Sequence, residues 1–269
     1  MLRDITLGQY YQADSIIHKL DPRVKLATTL IFIISLFVFD NIAGYAVAAI
    51  FLIIVIKLSK VPFKFMVKGM KAIVFLLLLT VICNLLLTPG EPVVTFWKLT
   101  ITKEGLRLAG LMAVRLSFLI VGSSIMTLTT TPNQLTDAME KMMGLLKKIK
   151  VPVHEIAMMM SIALRFIPIL LEETDKIMKA QIARGADFES GNLVKKAKSM
   201  VPLLVPLFIS AFRRANDLAM AMEARCYRGG EHRTKMKPLH YEHRDYIAYA
   251  IVVCYLVAGI AAGKIVGML

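Results

Sequence analysis

Two short runs place an arginine between small residues, Ala183-Arg184-Gly185 and Ala224-Arg225-Cys226. A guanidinium with Ala on one side and Gly or Cys on the other has room around its backbone. A helix tip carrying it can enter a groove on another protein and make paired hydrogen bonds to carboxylates or carbonyls. The residues leading into each run rhyme as well, Lys179-Ala180-Gln181-Ile182 before the first and Met220-Ala221-Met222-Glu223 before the second. Two copies imply two similar receiving sites. The competing reading is that each run is an ordinary helix end, with a cation favourably close to the last carbonyls.

Other residues capable of chemistry offer less. A nucleotide hydrolase of the common kind needs a glycine-rich loop ending in Lys-Ser/Thr, and Gly263-Lys264 is followed by Ile265 in an apolar run, so no phosphate-cradling loop is expected. His154-Glu155 opens like a zinc-peptidase helix, but the second histidine position is Met158, and no metal site is expected there. His240 and His243 read as surface histidines of a basic segment. Ser123 and Ser124 lie in an apolar helix, where small polar residues help helices pack. Cys83, Cys226 and Cys254 show no pairing pattern and read as free thiols. Neither a catalytic constellation nor a cofactor is expected.

The elements that must position the arginines belong to a membrane protein. The chain has 269 residues, 57% hydrophobic, with a mean hydropathy of +0.64. Its start, Met1-Leu2-Arg3-Asp4, lacks the basic and short apolar regions of a secretory signal. The formal charge of +14 lies largely beside apolar runs, which points to anionic lipid headgroups rather than nucleic acid.

Expected spans are Leu26 to Phe39, Ile42 to Ile56, Ala72 to Leu87, Leu106 to Thr129 and Tyr246 to Val266. The first two, parted by Asp40-Asn41, read as one long tilted helix or as a hairpin. Lys19, Arg23 and Lys25 precede the pair, and Lys57, Lys60, Lys64, Lys68 and Lys71 follow it, so keeping both basic flanks inside requires a hairpin. Four crossings before Thr130 then leave Pro132 to Arg244 inside, and that stretch holds 19 Lys/Arg against 12 Asp/Glu. Lys98 and Lys103 against Glu91 and Glu104 suit an outer connection.

Two more apolar stretches, Ile156 to Leu171 with Arg165 and Pro168, and Met200 to Phe212 with Pro202 and Pro206, read as helices packed near the inner surface. An arginine facing lipid at mid-membrane would cost about 3 kcal/mol. Pro132 and Pro152 open helices here, while Gly185, Gly191 and Gly229-Gly230 stop them. The expected fold is therefore an all-α polytopic membrane protein of about five transmembrane helices. Residues 1–130 hold four spans, 131–244 form a helical cytoplasmic insertion, and 245–269 form the final span.

With both arginine triplets and the N-terminal run His18-Lys19-Leu20-Asp21-Pro22-Arg23-Val24-Lys25-Leu26 in view, the sequence resembles the transmembrane T component of energy-coupling factor (ECF) transporters, the EcfT/CbiQ-like family, over nearly its whole length. The resemblance implies a non-catalytic scaffold in the bacterial cell membrane. It implies that Ala183, Arg184, Gly185, Ala224, Arg225 and Cys226 end two coupling helices, each docked on one of two ABC-type ATPase subunits of the EcfA and EcfA′ type. It further implies one or several substrate-binding S components that carry a vitamin. Cys226 departs from the glycine common at that position, which leaves the backbone shape there open.

The chain's 17 methionines fit a surface that repacks against several partners. Met139, Met142, Met143, Met158, Met159 and Met160 are interface candidates beside Arg165, with ordinary packing within the chain as the alternative. Arg115 interrupts an apolar helix and is a further functional candidate. A self-contained permease is the other reading of the whole. It calls for polar residues facing one another across several spans, and Asn84, Arg107 and Arg115 make a thin set.

Overall fold

The computed structural model describes residues 10–39, 41–66, 73–96, 99–188, 192–230, 236 and 238–268. The sequence signals at Met1 to Asp4, Asp40, Lys68, Lys71, Ala72, Lys98 and Gly191 lie outside them. Two compact units divide the chain: one made of Gly8–Ala138 and Leu239–Leu269, the other containing Met139–Pro238.

The first unit is a helix bundle. It comprises α1 (Pro22–Val38), α2 (Ile42–Ser59), α3 (Val74–Leu87), α4 (Lys103–Thr129) and α8 (His243–Met268). These cover the five expected spans. Of them α2, α4 and α8 are long and apolar enough to cross a bilayer outright, with hydropathies of 2.3, 1.8 and 2.0. The 17 residues of α1 and 14 of α3 rise only about 25 and 21 Å, less than the roughly 30 Å of a bilayer's hydrocarbon.

The choice between one tilted helix and a hairpin is settled by packing. The Tyr45 hydroxyl donates to the Leu36 carbonyl at 3.2 Å, and the Phe32 and Phe51 rings lie 5.9 Å apart, so α1 and α2 run antiparallel. Against α4 the register is also antiparallel: Lys25 reaches the Thr129 carbonyl at 2.9 Å, and a Cβ on Gly122 would stand 2.7 Å from the Phe32 ring. Only glycine lets α4 approach α1 that closely. With α8 the pairing is parallel, Asp21 meeting Asp245, Ser35 meeting Tyr255 at 2.6 Å, and Asn41 meeting the Gly263 carbonyl at 2.9 Å. Phe32, Leu36, Phe39, Leu52, Ile125 and Tyr255 fill the core between these helices.

One connection departs from the all-α expectation. Between α3 and α4, strands β1 (Pro92–Phe96) and β2 (Leu99–Thr102) pair antiparallel, Val94 opposite Ile101 and Phe96 opposite Leu99. The segment is rich in Val, Thr and Ile, whose branched side chains favour extended backbone. The Thr102 hydroxyl then caps α4 by accepting from the Gly105 amide at 3.1 Å.

At the start of α1 a buried polar clasp gathers three helix ends. Asp21 caps α1, accepting from the Arg23 amide at 2.8 Å and from the Arg23 guanidinium at 3.0 and 2.8 Å. The Asp21 amide donates to Asp245 at 2.9 Å, and Asp245, 1% exposed, also accepts from the Glu242 amide at 2.8 Å as the third residue of α8. The Arg23 guanidinium sits 4.0 Å above the Tyr241 ring. Lys25 donates to the carbonyls of His18 and Thr129 at 3.0 and 2.9 Å. The His18 ring bridges Ser15 and the Tyr11 carbonyl, and burial lowers its pKa, only partly offset by that carbonyl. The chain therefore leaves this unit after Thr129 and returns before Asp245 at the same end of the bundle. Whatever lies between crosses a membrane an even number of times.

Asp245→Ala strips an acceptor from two backbone amides and should lower stability by about 2 kcal/mol. Asp245→Asn, which keeps one acceptor oxygen, should cost less. Thermal unfolding of both variants in detergent checks the order.

Candidate coupling surface

The second unit is built on two long helices, α6 (Val153–Ala183) and α7 (Leu193–Ala224). Before them come α5 (Pro132–Met142), which begins in the first unit, and a 3-10 turn at Met143–Ile149. Three contacts fix how the long pair lies. Gln181 donates to the Pro202 carbonyl at 3.3 Å, Arg214 pairs with Glu173 at 3.1 Å, and Ile162 shares a cavity wall with Leu218 and Met222. Residue numbers rise on one helix as they fall on the other, so the helices are antiparallel. His154 pairs with Glu140 at 2.9 Å and ties the start of α6 to α5.

Both arginine triplets end helices, and they end them alike. Arg184 caps α6 with φ −89° and ψ 7°, and Arg225 caps α7 with φ −93° and ψ 13°. The next residue turns left-handed in each case, Gly185 at φ 86° and Cys226 at φ 55°. Matching hydrogen bonds close both ends. Gly185 N donates to Ile182 O at 2.9 Å and Ala186 N to Gln181 O at 3.0 Å, while Cys226 N donates to Glu223 O at 2.9 Å and Tyr227 N to Met222 O at 3.0 Å. This is the Schellman pattern, which satisfies carbonyls that a helix end otherwise leaves open. Ala183, Arg184, Gly185, Ala224, Arg225 and Cys226 are all exposed.

The triplets are not brought together. Cys226 and Arg225 share a cavity of about 480 Å³ with Met158 and Ile162, near the start of α6, whereas Arg184 ends that helix. At 1.5 Å per residue the two arginines stand on the order of 30–40 Å apart along the pair.

The other expected interface residues spread along this unit. Met139, Met142, Met159 and Met160 are exposed, and Met143 and Met158 are half-buried. Arg165 is exposed and lines a cavity with Arg214 and Asp217. Arg115 lies in the other unit, where its Nε donates to the Tyr45 hydroxyl at 2.7 Å and its guanidinium sits 5.4 Å from the Phe37 ring. In that unit sequence reasoning also missed Asp245 and Tyr241 as partners of Asp21 and Arg23. The available signal was an acidic residue in the first turn of an otherwise apolar span.

By length and composition α6 is also able to cross a bilayer, with a hydropathy of 1.6, although the sequence reading placed it at the surface. Its middle exposes Arg165 and carries Pro168.

Comparison with known proteins gives a consistent answer. The sequence model of the cobalt transport protein family, CbiQ, matches residues 13–236. The energy-coupling factor transporter transmembrane protein EcfT of Clostridium kluyveri is 58% identical over 250 residues, 92% of this chain and 93% of that one. The protein of the same name from Thermosediminibacter oceani is 54% identical over 248 residues, 92% and 94% of the two chains. That of Bacillus subtilis is 47% identical over 248 residues, 91% and 93%.

The left-handed position gives a test of the cap geometry. Gly185→Val should destabilise the end of α6 by about 1–2 kcal/mol, whereas Cys226→Gly should steady the end of α7 by up to about 1 kcal/mol. Hydrogen exchange at the Ala186 and Tyr227 amides reads the two ends separately.

Proposed function

The chain belongs to the energy-coupling factor transporter transmembrane protein (EcfT) family, and from that membership we propose how its two arginine-tipped helices work. The protein is an integral membrane component of an ECF transporter. In our reading it catalyses nothing itself and acts as the scaffold that carries the motion of two cytoplasmic ABC-type ATPases to a membrane-embedded S component that binds a vitamin. Arg184 and Arg225 dock in one ATPase each.

The observation that carries this reading is the identity of the two helix ends. Two exposed guanidiniums on the same backbone turn, on the order of 30–40 Å apart, present one recognition element twice. That is what two homologous motor subunits require and what a lone helix end needing only a favourable cation does not. The turn holds each arginine on a closed helix terminus, so a push on the guanidinium is delivered along α6 or α7. The Met-bearing faces of the same helices offer adaptable contacts to exchangeable partners.

The insertion from residue 131 to 244 lies on the cytoplasmic side in this reading, together with the N-terminus. Its 19 Lys/Arg against 12 Asp/Glu favour that side. An even number of crossings between Thr129 and Asp245 means that α6 spans only if α7 does too. With Pro202 and Pro206 inside it, α7 is not one of the helices, among the described residues, that are long and apolar enough to span. In our reading both helices rest at the inner surface, where Arg165 need not face lipid.

Arg184→Glu and Arg225→Glu should each reduce ATP-dependent vitamin uptake at least tenfold, while the chain still inserts into the membrane. Wild-type uptake in the double variant would end the docking assignment. Sidedness is checked separately with Ala183→Cys in a chain whose native cysteines are replaced, expressed without ATPases. A membrane-impermeant maleimide should label it in inside-out vesicles and not in intact cells.

A further inference from the structure

The membrane unit carries a groove of about 290 Å³ walled by α1, α2, α4 and α8, and its chemistry is graded along its length. Lys25, Thr129 and Arg244 line one end, where the polar clasp gathers the helix termini. Apart from Thr28 and Thr29 the rest of the wall is apolar and includes Phe32, Phe51, Val55, Ile125 and Ile251. Ile54, Leu58, Ile247 and Ile251 are 49%, 41%, 59% and 51% exposed, so the groove opens sideways, on the face a bilayer would cover.

We infer that this groove holds one acyl chain of an anionic phospholipid, with the lipid phosphate received by Arg244. The inference needs only that the unit lies in a bilayer and does not depend on how the coupling helices dock.

Two observations select this occupant over a transmembrane helix of another protein. First, helices seat on one another in membranes through small residues that let backbones approach. Here Gly122 is already taken by the Phe32 ring and the hydroxyls of Thr28, Thr29 and Thr129 bond within their own helices, so that beside Ala248 the wall offers mostly Ile, Leu, Val, Met and Phe, an uneven surface to which a flexible chain conforms. Second, an apolar helix has no use for cations at one end of its seat, whereas a phosphate has.

At that end one guanidinium nitrogen is left over once the ion pairs are made. Asp21 is occupied by Arg23, and Asp245 by two backbone amides. Lys25 is held by two neutral carbonyls, with the carboxylates of Asp21 and Asp245 near enough to balance its charge, which leaves Arg244 as the group that meets a phosphate. One arm of Arg244 meets Glu242, and its Nε finds no acceptor among the described residues. Turning the guanidinium toward a ligand therefore forfeits no Nε hydrogen bond, and its fork matches two phosphate oxygens.

Native mass spectrometry of the full chain, released from detergent with equal amounts of phosphatidylglycerol and phosphatidylcholine of the same chain length, tests this. Phosphatidylglycerol should be retained about tenfold better, the scale of one charge-assisted pair. Arg244→Gln should bring the two lipids to parity, and Ala248→Phe, which fills the groove, should weaken retention of both. Equal retention of the two lipids by the unaltered chain, or an undiminished preference in Arg244→Gln, would overturn the inference. A second measurement needs no variant. A photoactivatable phosphatidylglycerol should mark Ile247 to Val252 preferentially, whereas adducts spread evenly over the apolar surface would count against the site. Capture of another subunit's helix by a crosslinker at position 251 of the assembled transporter would overturn it in favour of a protein occupant.

Discussion

Lys25 carries an ammonium into a place with almost no water, and the carbonyls of His18 and Thr129 are what make it tolerable there. The Thr129 carbonyl is available because it lies in the last turn of α4, where no amide further along the helix takes it. Two steps before Lys25, Arg23 is held by Asp21, whose own amide reaches Asp245 at the start of α8. One short segment thus satisfies the loose backbone groups of three helices at once. The topology follows: with the end of α4 and the start of α8 tied to the start of α1, the intervening hundred or so residues form an insertion that departs and returns at a single end.

That constraint also decides what the long apolar helix α6 can be. Judged alone, it is 31 residues with a hydropathy of 1.6, a span by any simple criterion. Judged by parity, it cannot cross unless α7 crosses with it, and α7 is interrupted by two prolines and has a basic stretch at its beginning. In the proposed reading α6 stays out of the hydrocarbon, and its apolar face must then be covered some other way. Here part of that face packs on α7 through Ile162, Phe166 and Leu170, and the exposed methionines beside it suit contacts with other subunits.

Much of this was legible in the sequence because its signals are local. Apolar runs named the five helices of the membrane unit, and the lysines on either side of the first two distinguished a hairpin from one long helix. The small residues around Arg184 and Arg225 marked helix ends. What the sequence left hidden depends on partners far along the chain. Nothing beside Asp21 announces Asp245, since the two meet only after four helices and an insertion have folded. The β1–β2 hairpin was read as a plain connection because its runs of branched residues are short and sit between stronger helical signals. The turn at Cys226 was left open because a residue with a Cβ disfavours left-handed backbone, and only the closed hydrogen bonds of Cys226 and Tyr227 reveal that α7 adopts it anyway.

The last point bears on why the same cap recurs. The left-handed turn is a common way to close a helix, but it usually falls on glycine, and at Cys226 it falls on a residue with a Cβ. Keeping the left-handed turn at a cost of roughly 1–2 kcal/mol fixes where the chain goes after Arg225, and so fixes the arginine's direction relative to the helix axis. At Gly185 the same geometry comes free of that cost. A terminus that needed only to be stable could take glycine at position 226 and avoid that cost. A structure that must present two guanidiniums in the same way to two related receiving grooves has reason to match the two ends, and in the proposed reading the strained turn at Cys226 is the physical trace of that requirement.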